Sequence, residues 1–133
     1  MSARLDDTTA GADAGSAYVF EQDEGGPANW GQVALVFAEG AAAGDQFGMD
    51  LKLSGDSLVA SSIYHDLPEA ADAGAIYVFG RHQGGTEHWG QTGIAVASDA
   101  AAGDYFGQFM AWNGSTLAAS ARIKDTAAGV DAG

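Results

Sequence analysis

Sliding the chain against itself by 59 residues aligns it without a gap, and 30 of the 74 overlapping pairs are identical. A repeat this regular constrains the fold more than any single motif, because each copy must be one supersecondary unit packed on the next. Ala12-Asp13-Ala14-Gly15 returns as Ala71-Asp72-Ala73-Gly74, and Tyr18-Val19-Phe20 as Tyr77-Val78-Phe79. Trp30-Gly31-Gln32 returns as Trp89-Gly90-Gln91. The run Ala41 to Asp45 followed by Phe47-Gly48 returns as Ala100 to Asp104 followed by Phe106-Gly107. Residues 2–15 recur a third time as residues 120–133, with 10 of 14 positions identical. The 133 residues therefore form a single segment of repeat units, about 2–60, 61–119 and a partial 120–133.

Within a unit the hydrophobic period is that of strands. Met49-Asp50-Leu51-Lys52-Leu53 alternates apolar and polar, and Ser54-Gly55-Asp56 is a tight-turn signal. Ser57-Leu58-Val59-Ala60-Ser61 reads as a short buried strand, and an acidic loop runs from Tyr64 to Gly74. Ala75-Ile76-Tyr77-Val78-Phe79 is β-branched and aromatic, a strand by composition. Gly84-Gly85 marks the next turn, and a fourth strand, interrupted by Gly93, runs from Trp89 to Val96. Four short strands with turn chemistry between them make up one β-propeller blade. A β-sandwich has similar strand spacing but gives no reason for a strict four-strand repeat. The expected fold is all-β: about two propeller blades, each a four-stranded antiparallel sheet, forming a partial propeller or a ring completed by other copies. The chain is expected to enter at the third strand of a blade (Ser16–Phe20) and its fourth (Trp30–Phe37). One complete blade, Phe47 to Val96, follows, and then the first two strands of another, Tyr105–Trp112 and Thr116–Ile123.

The order Phe-Gly, short turn, Leu-Val, then Gly-Ala-Tyr-Val-Phe and Trp resembles the FG-GAP repeat of the integrin α-subunit propeller and of many bacterial surface proteins. Phe47-Gly48 and Phe106-Gly107 stand in the FG positions. The Gly-Ala-Pro positions fall at Ser61-Ser62-Ile63, Ser120-Ala121-Arg122 and Ser2-Ala3-Arg4, so that half of the namesake motif is replaced. Integrin-like repeats that bind calcium carry an Asp-rich loop between their first two strands. Here the corresponding connections, Ser54-Gly55-Asp56 and Asn113-Gly114-Ser115, offer one carboxylate and none. Calcium takes about six to eight oxygen ligands, so the family's metal site does not carry over, and no metal or other cofactor is expected. The resemblance implies a non-catalytic adhesion or protein–protein interaction scaffold, extracellular or at the cell surface.

Composition narrows the partners. Eighteen Asp and Glu face five Lys and Arg, for a net charge of −13. So acidic a chain cannot gather phosphate contacts, which excludes nucleic acid and disfavours anionic membrane surfaces. The same excess of acid suits a saline medium, where salt screens self-repulsion. The chain has no cysteine, hence no disulfide, thiolate metal site or cysteine nucleophile. No apolar run reaches the roughly 18 residues of a membrane span, and Met1 to Asp7 lacks the apolar core of a signal peptide. Neither a nucleophile elbow, nor a zinc-protease helix motif, nor a phosphate loop is present, so no enzyme is expected.

Asp45 and Asp104, each before x-Phe-Gly, are expected to cap backbone N–H groups at a blade corner. Trp30 and Trp89, at one register, are expected to pack between blades. Asp6, His65 and Lys124 share a register, and such variation argues against a fixed ligand set. His82 and His88 flank Gly84-Gly85 but have no third ligand nearby. Trp112 stands where the preceding unit has Leu53, which makes it the candidate for an individual contact, with Asp66 and Asp72 on the acidic rim loop. Two partners fit: another protein on a broad, shallow patch, or a surface glycan in a pocket repeated in each blade, as in lectin-type propellers. Homo-oligomerisation, or membership of a longer propeller, is expected because the first and last blades are incomplete.

Overall fold

The structure, a computed structural model, describes residues 1–83, 88–125, 129–131 and 133. Gly84-Gly85 and residues 86–87, 126–128 and 132 lie outside the described residues. Among the described residues, three antiparallel sheets follow one another along the chain. The first blade holds β1 (Ser2–Ala3), β2 (Ser16–Gln22) and β3 (Trp30–Val36). The second holds β4 (Leu51–Ser54), β5 (Ser57–Ser62), β6 (Ala75–Arg81) and β7 (Trp89–Ala95), hydrogen-bonded in that order. The third holds β8 (Met110–Trp112) and β9 (Leu117–Ala119). The all-β, blade-by-blade architecture read from the repeat is the one observed.

Three boundaries depart from expectation. The first blade begins with the end of a second strand, because Ser2 and Ala3 pair with Ala17 and Ser16 as Ser61 and Ser62 pair with Ile76 and Ala75. Strand β7 runs unbroken through Gly93, and the irregularity is a bulge at Thr92, opposite the step from Val78 to Phe79. The same bulge falls at Val33, opposite Val19/Phe20, so it is a property of the repeat. In the third blade β8 starts at Met110 rather than Tyr105, because the chain enters with positive φ at Tyr105 and Gly107, and β9 spans only Leu117–Ala119.

Alternate residues of β5 and β6 bury on opposite faces, which is why these strands read as unbroken apolar runs. Leu58, Ala60, Tyr77 and Phe79 join Ala17, Val19 and Phe47 in the layer between the first and second blades. Phe47 sits edge-on to both Tyr77 and Phe79, with ring centroids 5.7 Å away in each case. Val59 and Ile76 meet Met110 in the layer between the second and third, with Trp112, Leu117 and Ala119 packed against them.

A backbone ladder joins successive blades and accounts for the two longest repeated motifs. Gly44, Gln46 and Phe47 donate to the carbonyls of Ala12, Asp13 and Ala14 at 2.9, 3.0 and 2.9 Å. One repeat later, Gly103, Tyr105 and Phe106 donate to Ala71, Asp72 and Ala73 at 2.9, 3.2 and 2.9 Å. The closing glycine of Ala-Asp-Ala-Gly is required by this approach: a Cβ on Gly74 would lie 2.4 Å from the Phe106 carbonyl oxygen, and one on Gly15 2.3 Å from that of Phe47.

Candidate functional site

The corners of the second and third blades are each built on a buried carboxylate. Asp45 Oδ2 accepts the Ala42 N–H at 3.0 Å and lies 2.8 Å from His65 Nδ1, while Ser62 Oγ donates to the Asp45 carbonyl at 2.7 Å. In the third blade Asp104 Oδ2 accepts the Ala101 N–H at 2.9 Å and the Lys124 ammonium at 2.7 Å. The expected backbone capping is present, and a basic partner from the next loop accompanies it. In the first blade Asp6 holds the His65 register and accepts the hydroxyls of Ser16 and Tyr18 at 2.6 and 3.4 Å. Tyr77 reaches His65 Nδ1 at 3.3 Å; burial, with the Asp45 charge adding to it, pushes its phenol up to about 12. The hydrogen bond to Asp104 raises the Lys124 ammonium, with the Asp104 and Asp99 charges adding to the shift and desolvation opposing it.

Of the residues singled out for ligand contact, the structure brings Asp66 and Asp72 together. Asp66 Oδ1 accepts the Asp72 N–H at 2.8 Å, closing the loop on itself, and Asp7–Asp13 and Asp125–Asp131 do the same at 3.1 and 2.9 Å. Trp112 lies against the apolar layer between the second and third blades, its indole N–H buried with no acceptor among the described residues, as is that of Trp89. Trp89 is half-buried against the inter-blade core as expected, but Trp30 is 66% exposed, because no blade of this chain lies on its face. Among the described residues, no three His, Asp or Glu side chains come together in a way that could hold a metal ion.

Two surfaces escape a reading by single residues. The first is an apolar band on the outer strands. Leu35 and Phe37 are 48% and 46% exposed, and their register mates Ile94 and Val96 are 51% and 42% exposed. The signal was available as unbroken runs, Leu35-Val36-Phe37 and Ile94-Ala95-Val96, where an outermost strand would alternate. In the first blade the acidic loop Asp6–Thr9 borders the band across a concavity of about 450 Å3. The second is a groove of about 590 Å3 between the open edge of β2 and the β4–β5 face of the second blade.

Successive antiparallel blades, a fixed 59-residue register and a corner at each Phe-Gly define a propeller-type repeat protein. The family model of the FG-GAP repeat matches residues 30–79 and 89–133, and the chain belongs to the FG-GAP repeat family. Repeats of this family build integrin-like propellers, generally serve protein interaction rather than catalysis, and typically occur in extracellular or surface proteins. No curated protein and no solved structure matches the chain. No helix among the described residues is long and apolar enough to cross a membrane.

Proposed function

We propose that the chain is a non-catalytic interaction scaffold at the cell surface, whose outer-strand band binds another protein. One observation carries this reading: Ile94 and Val96 stay exposed although the first blade is in place on their side, so the band is a property of assembled blades and not of an open end. Apolar residues recurring at one register of consecutive blades make a broad, shallow contact, the kind that protein partners cover. With an acidic loop along its edge in the first blade and a net charge of −13, the partner surface is apolar with a basic rim. The contact is assigned to the band rather than to Trp112, Asp66 and Asp72, since Trp112 packs between blades and the two aspartates are joined by a loop-closing hydrogen bond.

The test is a pull-down from the native source beside a glycan array, with the wild-type chain and an Ile94→Ser/Val96→Ser variant. A protein retained by the wild type and lost by the variant supports the band. Glycan binding that the variant keeps and Trp112→Ala abolishes would replace this reading with the sugar-binding one.

A further inference from the structure

We propose that Asn113, at the turn of the β8–β9 hairpin, is the acceptor of an N-linked glycan. The inference rests on the surface location read above but not on the band, which lies on other strands. Asn113-Gly114-Ser115 is an Asn-x-Ser triplet without proline, the pattern that is glycosylated on exposed loops of secreted proteins. The chain has two asparagines, and Asn29, followed by Trp30-Gly31, stands in no such triplet. The triplet is not a property of the repeat, since the second blade has Ser54-Gly55-Asp56 at that register. The central glycine is kept, and the two changes around it supply together the amide and the hydroxyl that the modification needs.

The geometry suits that chemistry. Asn113, Gly114, Ser115 and Thr116 are all exposed. Asn113 Oδ1 accepts the N–H groups of Ser115 and Thr116 at 3.0 and 2.8 Å and the Ser115 hydroxyl at 3.1 Å. The carbonyl end of the amide is thereby held in the turn. Its Nδ2 amino group, the atom to which a sugar is joined, has no protein partner among the described residues. Ser115 Oγ stands against the same side chain, so amide and hydroxyl meet a transferase together. Exposure belongs to the turn and not to this blade's place in the chain. In the second blade, which has all four strands and a blade on each side, Gly55 is exposed and the Asp56 side chain is 70% exposed. The two turns stand side by side, since a Cβ on Gly114 would lie 3.2 Å from Ser54 Oγ. Strand β5 runs from its turn to the acidic loop, so a glycan here projects from the opposite rim. Transfer forms a bond from Asn113 Nδ2 to C1 of the first sugar and breaks the bond from C1 to the phosphate of a lipid-linked oligosaccharide donor. The phosphate leaves with the bonding electron pair, and one Nδ2 proton passes to a base of the transferase.

Peptide mapping by mass spectrometry, on the protein isolated from its native source, tests the assignment. The Asn113 peptide is expected to carry whole-sugar mass increments, and an amidase specific for N-linked glycans should remove them and leave an aspartate at that position. Expressed in the same source, Ser115→Ala keeps the backbone bonds to Asn113 Oδ1 and should lose the increments, whereas Ser115→Thr should retain them. Asn113→Gln should lose them too; increments that survive it would place the sugar on a hydroxyl and overturn the proposal. An Asn113 peptide without sugar overturns it wherever the protein is found. Protease treatment of intact cells then separates the two readings. An unglycosylated protein that is digested leaves the surface location standing, and one that is protected removes both.

Discussion

Asp6, His65 and Lys124 share one register yet differ in type, and the groups each of them meets explain why. His65 and Lys124 each follow a buried corner carboxylate, Asp45 or Asp104, and approach the same Oδ2 that caps the backbone. A carboxylate withdrawn from water requires donors or a cation, and the loop supplies one. Asp6 instead meets the hydroxyls of Ser16 and Tyr18, and there an acid accepts their protons. The variation that argues against a fixed ligand set thus follows the hydrogen-bonding partners within each blade. The same network yields a pH dependence. The folded chain holds the Tyr77 proton up to about pH 12, whereas the unfolded chain releases it near the ordinary value of 10.0. Between those values the folded state binds more protons, so stability is complete below pH 10 and falls as pH rises. The raised Lys124 ammonium acts in the same sense. Tyr77→Phe should remove the tyrosine part of that loss, on the order of 2 kcal/mol. Thermal melts of wild type and variant from pH 9 to 12 measure it; parallel slopes would refute the assignment.

At the scale of elements, blades are joined by backbone as much as by side chains. The ladder from Gly103–Phe106 to Ala71–Ala73 tolerates no atom at Gly74. Gly74→Ala should therefore destabilise by about 3 kcal/mol or more, since it must displace backbone of the next blade. Gly44→Ala also adopts a positive φ, 88°, but meets nothing within 4 Å, so it should cost only about 1 kcal/mol of strain. Denaturant titration of the two variants compares them, and equal losses would mean that φ alone decides both. The first-to-second-strand connections bear on calcium. Ser54 pairs with Ser57, which leaves a two-residue turn, and Asn113 closes the next turn by accepting from Ser115 and Thr116. A loop of that length cannot wrap an ion, so millimolar calcium should move the melting temperature by less than about a degree. A rise of several degrees, reversed by chelator, would reveal a site built from the rim acids.

For the whole molecule the excess of acid is the dominant long-range effect. At a net −13 the compact state repels itself, and 1 M salt shortens the screening length to about 3 Å. The melting temperature should climb between low salt and 1 M NaCl. Measuring it at two protein concentrations separates this intramolecular gain from salt-driven association, which alone depends on concentration. A flat or falling profile would show that self-repulsion is already offset by pairs such as Arg81–Glu21, at 2.8 Å.

The sequence by itself determined the repeat length, the strand content, the type of blade and the corner role of Asp45 and Asp104, because each is written twice at one spacing. Periodicity and turn chemistry are local properties, and a repeat averages out the noise of a single reading. Only the tertiary structure decided which faces are covered. Trp30 and Trp89 share register, flanking residues and strand, yet one is exposed and the other packs against the inter-blade core. Leu53 and Trp112 share a register in the same way, yet Leu53 is exposed along the groove beside β2 while Trp112 packs on the second blade. Burial of a blade face is a relation between neighbouring units, so a residue's own unit carries no record of whether a neighbour is there.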